Sequence, residues 1–245
     1  MIPKIVHFVF GMTPDFGGKP FHLIHNIAIR SAHATLKPEK MYMYCKYEPE
    51  NNVHWEGIRH LVEIVKVEPP TEIFGNRILH YAHQSDIVRL TKLIELGGIY
   101  LDCDTLCLKP FDDLLTEKFV MATQVNRGLC NAIMLSEKES EFGKIWYNEY
   151  RSFNHQQWDQ HSVIVPDLLS QTHPNLITKL DSSAFFIPDC NNTQLAKIYE
   201  HYVDRSDGYA LHLWEHIAWS YIQHIDENWI RNSNCTYAHY AKKYI

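Results

Sequence analysis

The chain has 245 residues, of which 45% are hydrophobic and 21% are charged. This composition predicts one globular domain with a sizeable core and excludes disorder over most of the chain. The net charge of -6 comes without a basic stripe or a long run of like charges, so we expect no nucleic-acid partner.

The apolar N-terminal segment is interrupted by Lys4 and His7, and no small-residue cleavage site follows it. It is therefore interpreted as a buried strand rather than a signal peptide. No stretch reaches the roughly 18 apolar residues that a membrane-spanning helix requires. We expect a cytoplasmic protein without a transmembrane segment, and peripheral membrane association stays open. The six cysteines form no CxxC pair and are expected to be reduced core thiols.

The first half of the chain alternates strand and helix patterns. Residues 4–10, 41–45 and 62–67 predict strands, and residues 21–35 predict a helix between the first two. This order favours a parallel sheet. A second helix is predicted to begin after Ser85 as its N-cap and to end at Gly97-Gly98, where strand 99–101 follows directly.

Further along the chain, apolar runs at residues 119–122 and 132–135 are followed by two amphipathic helices, predicted at 139–150 and 162–169. An aromatic-rich tail starts near residue 204. No repeat or low-complexity linker interrupts the sequence, so residues 1–245 are expected to form a single catalytic domain.

Two carboxylates, Asp102 and Asp104, directly follow the strand at 99–101. The carboxyl edge of a parallel sheet is where open α/β folds bind ligands. Residues two apart in extended backbone share a face, so the two side chains would repel unless a cation lay between them. Hard cations such as Mg²⁺ and Mn²⁺ are held by carboxylates together with substrate phosphates. The alternative is a pair of solvated turn residues.

The segments Ser85-Asp86-Ile87-Val88-Arg89 and Gly97-Gly98-Ile99-Tyr100-Leu101-Asp102-Cys103-Asp104 together resemble the sugar-binding region of glycosyltransferase family 32. Members of that family are similar to the glucosylating domain of large clostridial toxins. Weaker similarity covers residues 2–7, the pair Asn131-Ala132 and the element Ala210-Leu211-His212-Leu213-Trp214.

The resemblance implies an α/β, A-type glycosyltransferase fold, a single Rossmann-like domain with a mostly parallel central sheet and a small antiparallel addition. It implies transfer of a sugar from a nucleotide-sugar donor, UDP- or GDP-linked, to a glycan or other hydroxyl acceptor, with retention of anomeric configuration. Polysaccharide biosynthesis is the process that it suggests.

Roles for individual residues follow from the resemblance. Asp102 and Asp104 would be the catalytic metal ligands for Mn²⁺ or Mg²⁺, and His212 would be a third ligand. Asp86, Arg89 and Asn131 would bind the donor sugar. The alternatives are a helix-capping acid with an i,i+3 ion pair for Asp86 and Arg89, and a core histidine for His212.

For the nucleotide, we expect contacts from His7, Phe8 and Gly11, at the end of the first strand, and from Tyr100. Tyr100 has an alternative role in packing, on the face opposite Asp102. Acceptor or reacting-face contacts are expected from the following residues: Trp158, Asp159, Gln160, His161 and Trp214. The alternatives for these are a polar helix N-terminus and core aromatic residues.

Two other classes of function use the same residues. One is a nucleotide-sugar hydrolase or nucleotidyltransferase, which would need the same carboxylates. The other is a sugar-binding homologue without catalytic activity. The sequence identifies no nucleophile or general base.

Overall fold

A computed structural model describes all residues from Met1 to Ile245. Eleven strands form one large sheet and two small ones. The strands are β1 (Ile5–Val9), β2 (Lys40–Cys45), β3 (Glu63–Lys66), β4 (Glu72–Ile73), β5 (Asn76–Arg77), β6 (Gly98–Leu101), β7 (Thr105–Cys107), β8 (Phe119–Gln124), β9 (Gly128–Ser136), β10 (Thr178–Leu180) and β11 (Ala210–His212).

The large sheet has seven strands in the order β10-β8-β9-β6-β1-β2-β3. β6, β1, β2 and β3 run parallel to one another, and β10 is parallel to β8. β9 is antiparallel to both of its neighbours. The predicted mostly parallel sheet with a small antiparallel addition is confirmed. Two short antiparallel pairs, β4 with β5 and β7 with β11, lie outside it.

Nine α-helices accompany the sheets. They are α1 (Leu23–Leu36), α2 (Val53–Glu56), α3 (Tyr81–Leu96), α4 (Glu141–Glu149), α5 (Val165–Thr172), α6 (Asn192–Tyr199), α7 (Glu215–Ile222), α8 (Glu227–Asn232) and α9 (Thr236–Ala241). None of these helices is long and apolar enough to cross a membrane.

Two apolar cores lie against the large sheet, because successive side chains of a strand point to opposite faces. In β6, Ile99 and Leu101 belong to the larger core, together with residues of α1 and of the C-terminal helices. Tyr100, between them, belongs to the smaller core with residues of α3 and α4. All six cysteines are free thiols, and five of them are buried.

Helix α3 begins one turn earlier than the sequence predicts. Its N-cap is His80, whose Nδ1 accepts a hydrogen bond from the backbone N–H of Ala82. Ser85 lies inside the helix and donates its hydroxyl hydrogen to the carbonyl of Tyr81. Ser85 is therefore not the cap. Its hydroxyl bonds back to the preceding turn, as serine hydroxyls inside helices can do. Asp86 and Arg89 lie beyond the first turn.

The end of α3 agrees with the prediction. Gly97 has φ 67° and Gly98 has φ 114°, a region that favours glycine. A Cβ on Gly98 would lie 2.4 Å from the carbonyl oxygen of Ile5 in β1. The two glycines thus let the chain turn from α3 directly into the central strand that precedes Asp102.

The helix predicted at residues 162–169 divides into two parts. A π-turn covers Gln160–Ile164, and the regular helix α5 starts only at Val165. Pro166 has no backbone N–H and is compatible with the first turn of a helix but not with its interior. The proline therefore fixes the start of α5 and leaves residues 160–164 wound differently.

Candidate active site

The pairing of β7 with β11 brings three separated side chains together. Asp102 directly follows β6, and Asp104 precedes β7. In the β7–β11 register His212 lies opposite Thr105, so its ring reaches the turn that carries both carboxylates. Ligand atoms of Asp102, Asp104 and His212 all lie within 4.8 Å of one another. Nε2 of His212 is 3.3 Å from Oδ1 of Asp104 and 3.9 Å from Oδ2 of Asp102.

These three side chains fit a divalent cation. His212 is buried, its Nδ1 has no hydrogen-bond partner, and its Nε2 has no neighbouring polar group other than the two carboxylates. A buried polar group without a partner is rare because it is costly to desolvate. Two carboxylates and one imidazole form a mixed oxygen and nitrogen donor set of a kind that divalent cations take. The chemistry of the donor set and the closeness of its three ligand atoms both favour a cation here.

The charges of the cluster support one another. Burial lowers the pKa of His212, but the carboxylate of Asp104, assisted by Asp102, outweighs it and raises that pKa to about 9. Burial raises the pKa of Asp104, but His212 and the backbone N–H of Glu215 hold it well below its usual value. The opposite pKa shifts of His212 and Asp104 thus have one cause, the attraction between the imidazole and the carboxylates.

Only one oxygen of Asp102 is turned toward this cluster. Its Oδ1 accepts a hydrogen bond from the hydroxyl of Tyr100 at 2.6 Å and lies 3.1 Å from a guanidinium nitrogen of Arg89. The expectation that Tyr100 faces away from Asp102 is wrong, because residues two apart in a strand share a face. Tyr100 has no exposed surface and packs under Arg89, 4.5 Å from ring centre to guanidinium carbon. It supports the site from below and has no surface for a nucleotide.

Asp86, Arg89 and Asn131 form a second polar group in contact with the first. Oδ1 of Asp86 accepts a hydrogen bond of 2.7 Å from the amide of Asn131 and lies 3.7 Å from Nε of Arg89. Arg89 also donates to the backbone carbonyl of Asn131 at 3.1 Å. Asp86 is not a helix cap, since α3 begins at Tyr81, and burial raises its pKa, although Arg89 opposes that shift. The i,i+3 ion pair of the alternative interpretation is present, but it is buried rather than solvated.

Both groups line one cavity of about 380 Å³. Its walls come from the loop after β1, the start of α3, the turn after β6, the β8–β9 hairpin and the start of α7. The six residues predicted to bind metal or donor sugar all line it: Asp86, Arg89, Asn131, Asp102, Asp104 and His212.

Of the three residues expected to contact the nucleotide at the end of β1, only Gly11 lines the cavity. His7 and Phe8 have no exposed surface, because β1 is a central strand covered on both faces. Nδ1 and Nε2 of His7 lie 3.0 Å from the hydroxyl of Tyr44 and 2.8 Å from the carbonyl of Gly97. His7 and Phe8 are core residues and do not reach the cavity.

Gly11 does line the cavity, at φ 70°, and a Cβ there would lie 2.0 Å from the carbonyl oxygen of Tyr47. The sequence argument missed its two aromatic neighbours. Phe10 and Phe16 also line the cavity, and their rings stack 5.5 Å apart at 18°. Phe10 is the last residue of the strand predicted at residues 4–10, and in the structure it lies just beyond β1, which ends at Val9.

The expected acceptor residues separate into two sets. Asp159 and Trp214 line the cavity, as does Trp158. Gln160 and His161 do not. His161 is buried, with Nε2 3.2 Å from the hydroxyl of Ser152, because the π-turn directs it inward.

Gln124 and Arg127 line the cavity from the β8–β9 hairpin and were not predicted. Arg127 forms an ion pair with Asp159. Their only signal in the sequence is a polar stretch after an apolar run, which most surface turns share.

Known proteins match this chain in regions that include residues of the site. The sequence model of the family described as "Glycosyltransferase sugar-binding region containing DXD motif" matches residues 33–120. Glucan organizing enzyme 1 of Cryptococcus neoformans is 32% identical over 263 aligned residues, covering all of this chain and 71% of that protein. Subversion of eukaryotic traffic protein A of Legionella pneumophila is 39% identical over 67 residues, covering 25% of this chain and 10% of that protein.

Among solved structures, the apo form of the glycosyltransferase GlyE of Streptococcus pneumoniae matches with a TM-score of 0.56 at 12% identity. The match covers 99% of this chain and 60% of that one, and at this identity it bears on the fold alone. The family of this chain is shown by the relative from Cryptococcus neoformans, which matches the whole of this chain, and by the DXD region that contains Asp102 and Asp104. The chain belongs to the glycosyltransferases with a DXD-containing sugar-binding region, on an A-type glycosyltransferase fold.

Proposed function

We propose that residues 1–245 form one catalytic domain that transfers a sugar from a UDP- or GDP-linked donor to a glycan or other hydroxyl acceptor. A divalent cation, Mn²⁺ or Mg²⁺, would be held by Asp102, Asp104 and His212. The observation that carries this proposal is the convergence of two carboxylates and one buried imidazole nitrogen, whose ligand atoms lie within 4.8 Å of one another after the central strand. A bound cation would offset the negative charge that develops on the leaving diphosphate.

The chain's own residues prepare this site. Tyr100 and Arg89 hold one oxygen of Asp102, which leaves the other directed toward Asp104 and His212. The backbone N–H of Glu215 donates to Oδ2 of Asp104 at 2.8 Å, so this carboxylate is also fixed in orientation. Ligands whose positions are fixed before binding lose little freedom when the cation and the diphosphate arrive.

Asp86, Arg89 and Asn131 are proposed to bind hydroxyls of the donor sugar. Oδ1 of Asp86 accepts a hydrogen bond from the side-chain amide of Asn131, and Asp86 lines the cavity. A carboxylate acceptor beside a guanidinium donor suits a ring with several hydroxyls. Arg89 contacts both Asp86 and Asp102, so it joins the sugar subsite to the metal subsite. Orienting the anomeric carbon against the bound diphosphate would lower the entropic part of the barrier. Retention of configuration is proposed from the family resemblance.

A donor screen tests the proposal without knowledge of the acceptor. UDP- and GDP-sugars are incubated with Mn²⁺ or with a chelator, and slow hydrolysis is followed by release of nucleoside diphosphate. We expect Mn²⁺-dependent release from one class of donor. Sugar phosphate with nucleoside monophosphate would instead identify a nucleotidyltransferase or a pyrophosphate hydrolase. No turnover of any donor would indicate a sugar-binding homologue and contradict the proposal.

A further inference from the structure

We propose that Trp158 is a stacking platform for a pyranose ring of the acceptor, which makes the acceptor a carbohydrate. This inference rests on the proposed sugar transfer and identifies the chemical class of its second substrate. It is carried by the exposure of the indole, by the contacts that hold it and by its position beside the donor-sugar residues.

Trp158 and Ile217 are the two large apolar side chains that line the cavity while remaining about half exposed, at 52% and 51%. Trp55 and Trp146, by contrast, are fully buried in the cores. Apolar surface that stays exposed at the mouth of a concave site is a common mark of a binding surface. The indole is therefore available to a ligand that enters this cavity.

The exposed indole is held in place. The backbone carbonyl of Trp158 accepts a hydrogen bond of 3.1 Å from Nε2 of the buried His83. Its ring lies 4.9 Å from that of His80, 5.4 Å from that of His83 and 6.0 Å from that of His216. The ion pair between Arg127 and Asp159 fixes the next residue. An aromatic group held in this way loses little conformational entropy on binding.

Trp158 lies next to the proposed donor-sugar residues. His83, which contacts the indole, is three residues before Asp86 on α3, and residues three apart share one face of a helix. The separation along the helix is less than one turn, which rises about 5.4 Å. An acceptor must lie beside the donor sugar for its hydroxyl to reach the anomeric carbon, and Trp158 lines the same cavity as Asp86 and Arg89.

The polar groups beside the indole match the edge of a sugar. Asp159 and Arg127 line the same cavity and offer an acceptor and several donors. A pyranose presents an apolar C–H face, which stacks on an aromatic ring, and hydroxyls around its edge, which need such partners. The ion pair would gain no hydrogen bonds from a lipid chain, whereas sugar hydroxyls can bond to both of its members, so the arrangement favours a carbohydrate.

The test compares four proteins: wild type, Trp158→Ala, Trp158→Phe and Tyr202→Ala. Tyr202 is an exposed aromatic residue that packs on His239 and does not line the cavity, so it is the matched control. Methyl glycosides of glucose, galactose and mannose serve as acceptor probes, and a serine-containing peptide and a long-chain alcohol serve as competing hydroxyl probes. Both transfer and donor hydrolysis are measured with the donor found in the screen.

We expect transfer to at least one methyl glycoside, with an acceptor KM that rises about tenfold or more in Trp158→Ala. The ratio of donor hydrolysis to transfer should rise with it, while Trp158→Phe stays within about threefold of wild type and Tyr202→Ala is unchanged. A tenfold rise in the acceptor KM corresponds to about 1.4 kcal/mol.

Transfer only to the peptide or the alcohol would overturn the proposal, as would an acceptor KM unchanged in Trp158→Ala. Donor hydrolysis without transfer to any glycoside would also overturn it and leave the donor chemistry intact. The absence of both hydrolysis and transfer in wild type would instead contradict the proposed function, and the acceptor platform with it.

Discussion

Replacing Asp86 with alanine should weaken binding of the intact nucleotide sugar while hardly changing binding of the free nucleoside diphosphate. Only the nucleotide sugar presents the hydroxyls that Asp86 is proposed to bind. Asp86 is a cleaner probe than Arg89, because Arg89 lies 3.1 Å from Asp102 and its loss would also disturb the metal ligands. The carboxylate of Asp86 contacts Asn131 and Arg89.

The magnitude follows from the type of bond removed. A hydrogen bond to a charged group contributes about 1.5–3 kcal/mol, and about 1.4 kcal/mol corresponds to tenfold in affinity. The dissociation constant of the nucleotide sugar should therefore rise roughly tenfold to 150-fold. The change for the diphosphate should stay within about threefold, because Asp102, Asp104 and His212 keep their contacts.

Isothermal titration calorimetry with Mg²⁺ measures both affinities on the same protein. Glu95→Ala is the matched control, because it removes another i,i+3 ion pair of α3, with Lys92, on the exposed side of the helix. Equal weakening of both ligands in folded Asp86→Ala would refute the sugar-binding role. A large fall in melting temperature with normal binding by the folded protein would show that Asp86 is only a structural partner of Arg89.

Three further predictions concern catalysis, backbone and pH. Asp104→Asn should reduce donor turnover at least tenfold, about 1.4 kcal/mol of barrier, in protein that remains folded; turnover within about threefold of wild type would remove the metal role. Gly98→Ala should destabilise the fold by at least about 2 kcal/mol in urea denaturation, because its Cβ would lie 2.4 Å from the carbonyl oxygen of Ile5. Gly75→Ala is the control and should destabilise less, because a Cβ there would meet no atom within 4 Å. Equal destabilisation by the two changes would show that β1 moves to accommodate the methyl group. Burial lowers the pKa of His7 to about 4, so the unfolded chain, with a pKa near 6.5, binds the proton first, and stability is lost as the pH falls between these values. Between pH 7 and pH 5 the free energy of unfolding should fall by about 2 kcal/mol because of His7. Urea denaturation at both pH values should therefore show a smaller fall in His7→Gln than in wild type. Equal falls in the two proteins would contradict this prediction.

Much of the fold could be predicted because its strands and helix ends follow local sequence patterns. The strand at residues 41–45 and the glycines that end α3 were predicted to within one or two residues. Both depend on neighbours in the sequence, through apolar runs and the left-handed backbone of Gly97. The start of α3 was missed because the cap is a histidine, His80, which capping preferences rank low.

Site residues that lie in one sequence motif could be predicted, whereas residues brought together by the pairing of distant strands were harder to predict. Asp86, Arg89, Asp102 and Asp104 lie within one stretch. The proximity of His212 depends on the pairing of β11 with β7, which spacing alone cannot show.

The errors at His7 and Phe8 have a physical cause. A strand covered on both faces buries every side chain, so alternation along β1 does not identify residues that face a ligand. Cavity residues come from just beyond the end of such a strand, as Phe10 and Gly11 do. Gln124 and Arg127 reach the cavity from a hairpin turn, where nothing in the linear pattern marks them.

The central claim is that Asp102, Asp104 and His212 hold a divalent cation on the donor's diphosphate, and the most direct test is the linkage between the two ligands. Calorimetric titration of UDP or GDP is carried out with and without Mn²⁺, on wild type and on His212→Ala. Because the diphosphate supplies oxygen ligands that the protein lacks, Mn²⁺ should tighten diphosphate binding at least tenfold in wild type, about 1.4 kcal/mol, and much less in the variant. Equal affinity for the diphosphate with and without Mn²⁺ in the wild-type protein would contradict the metal bridge.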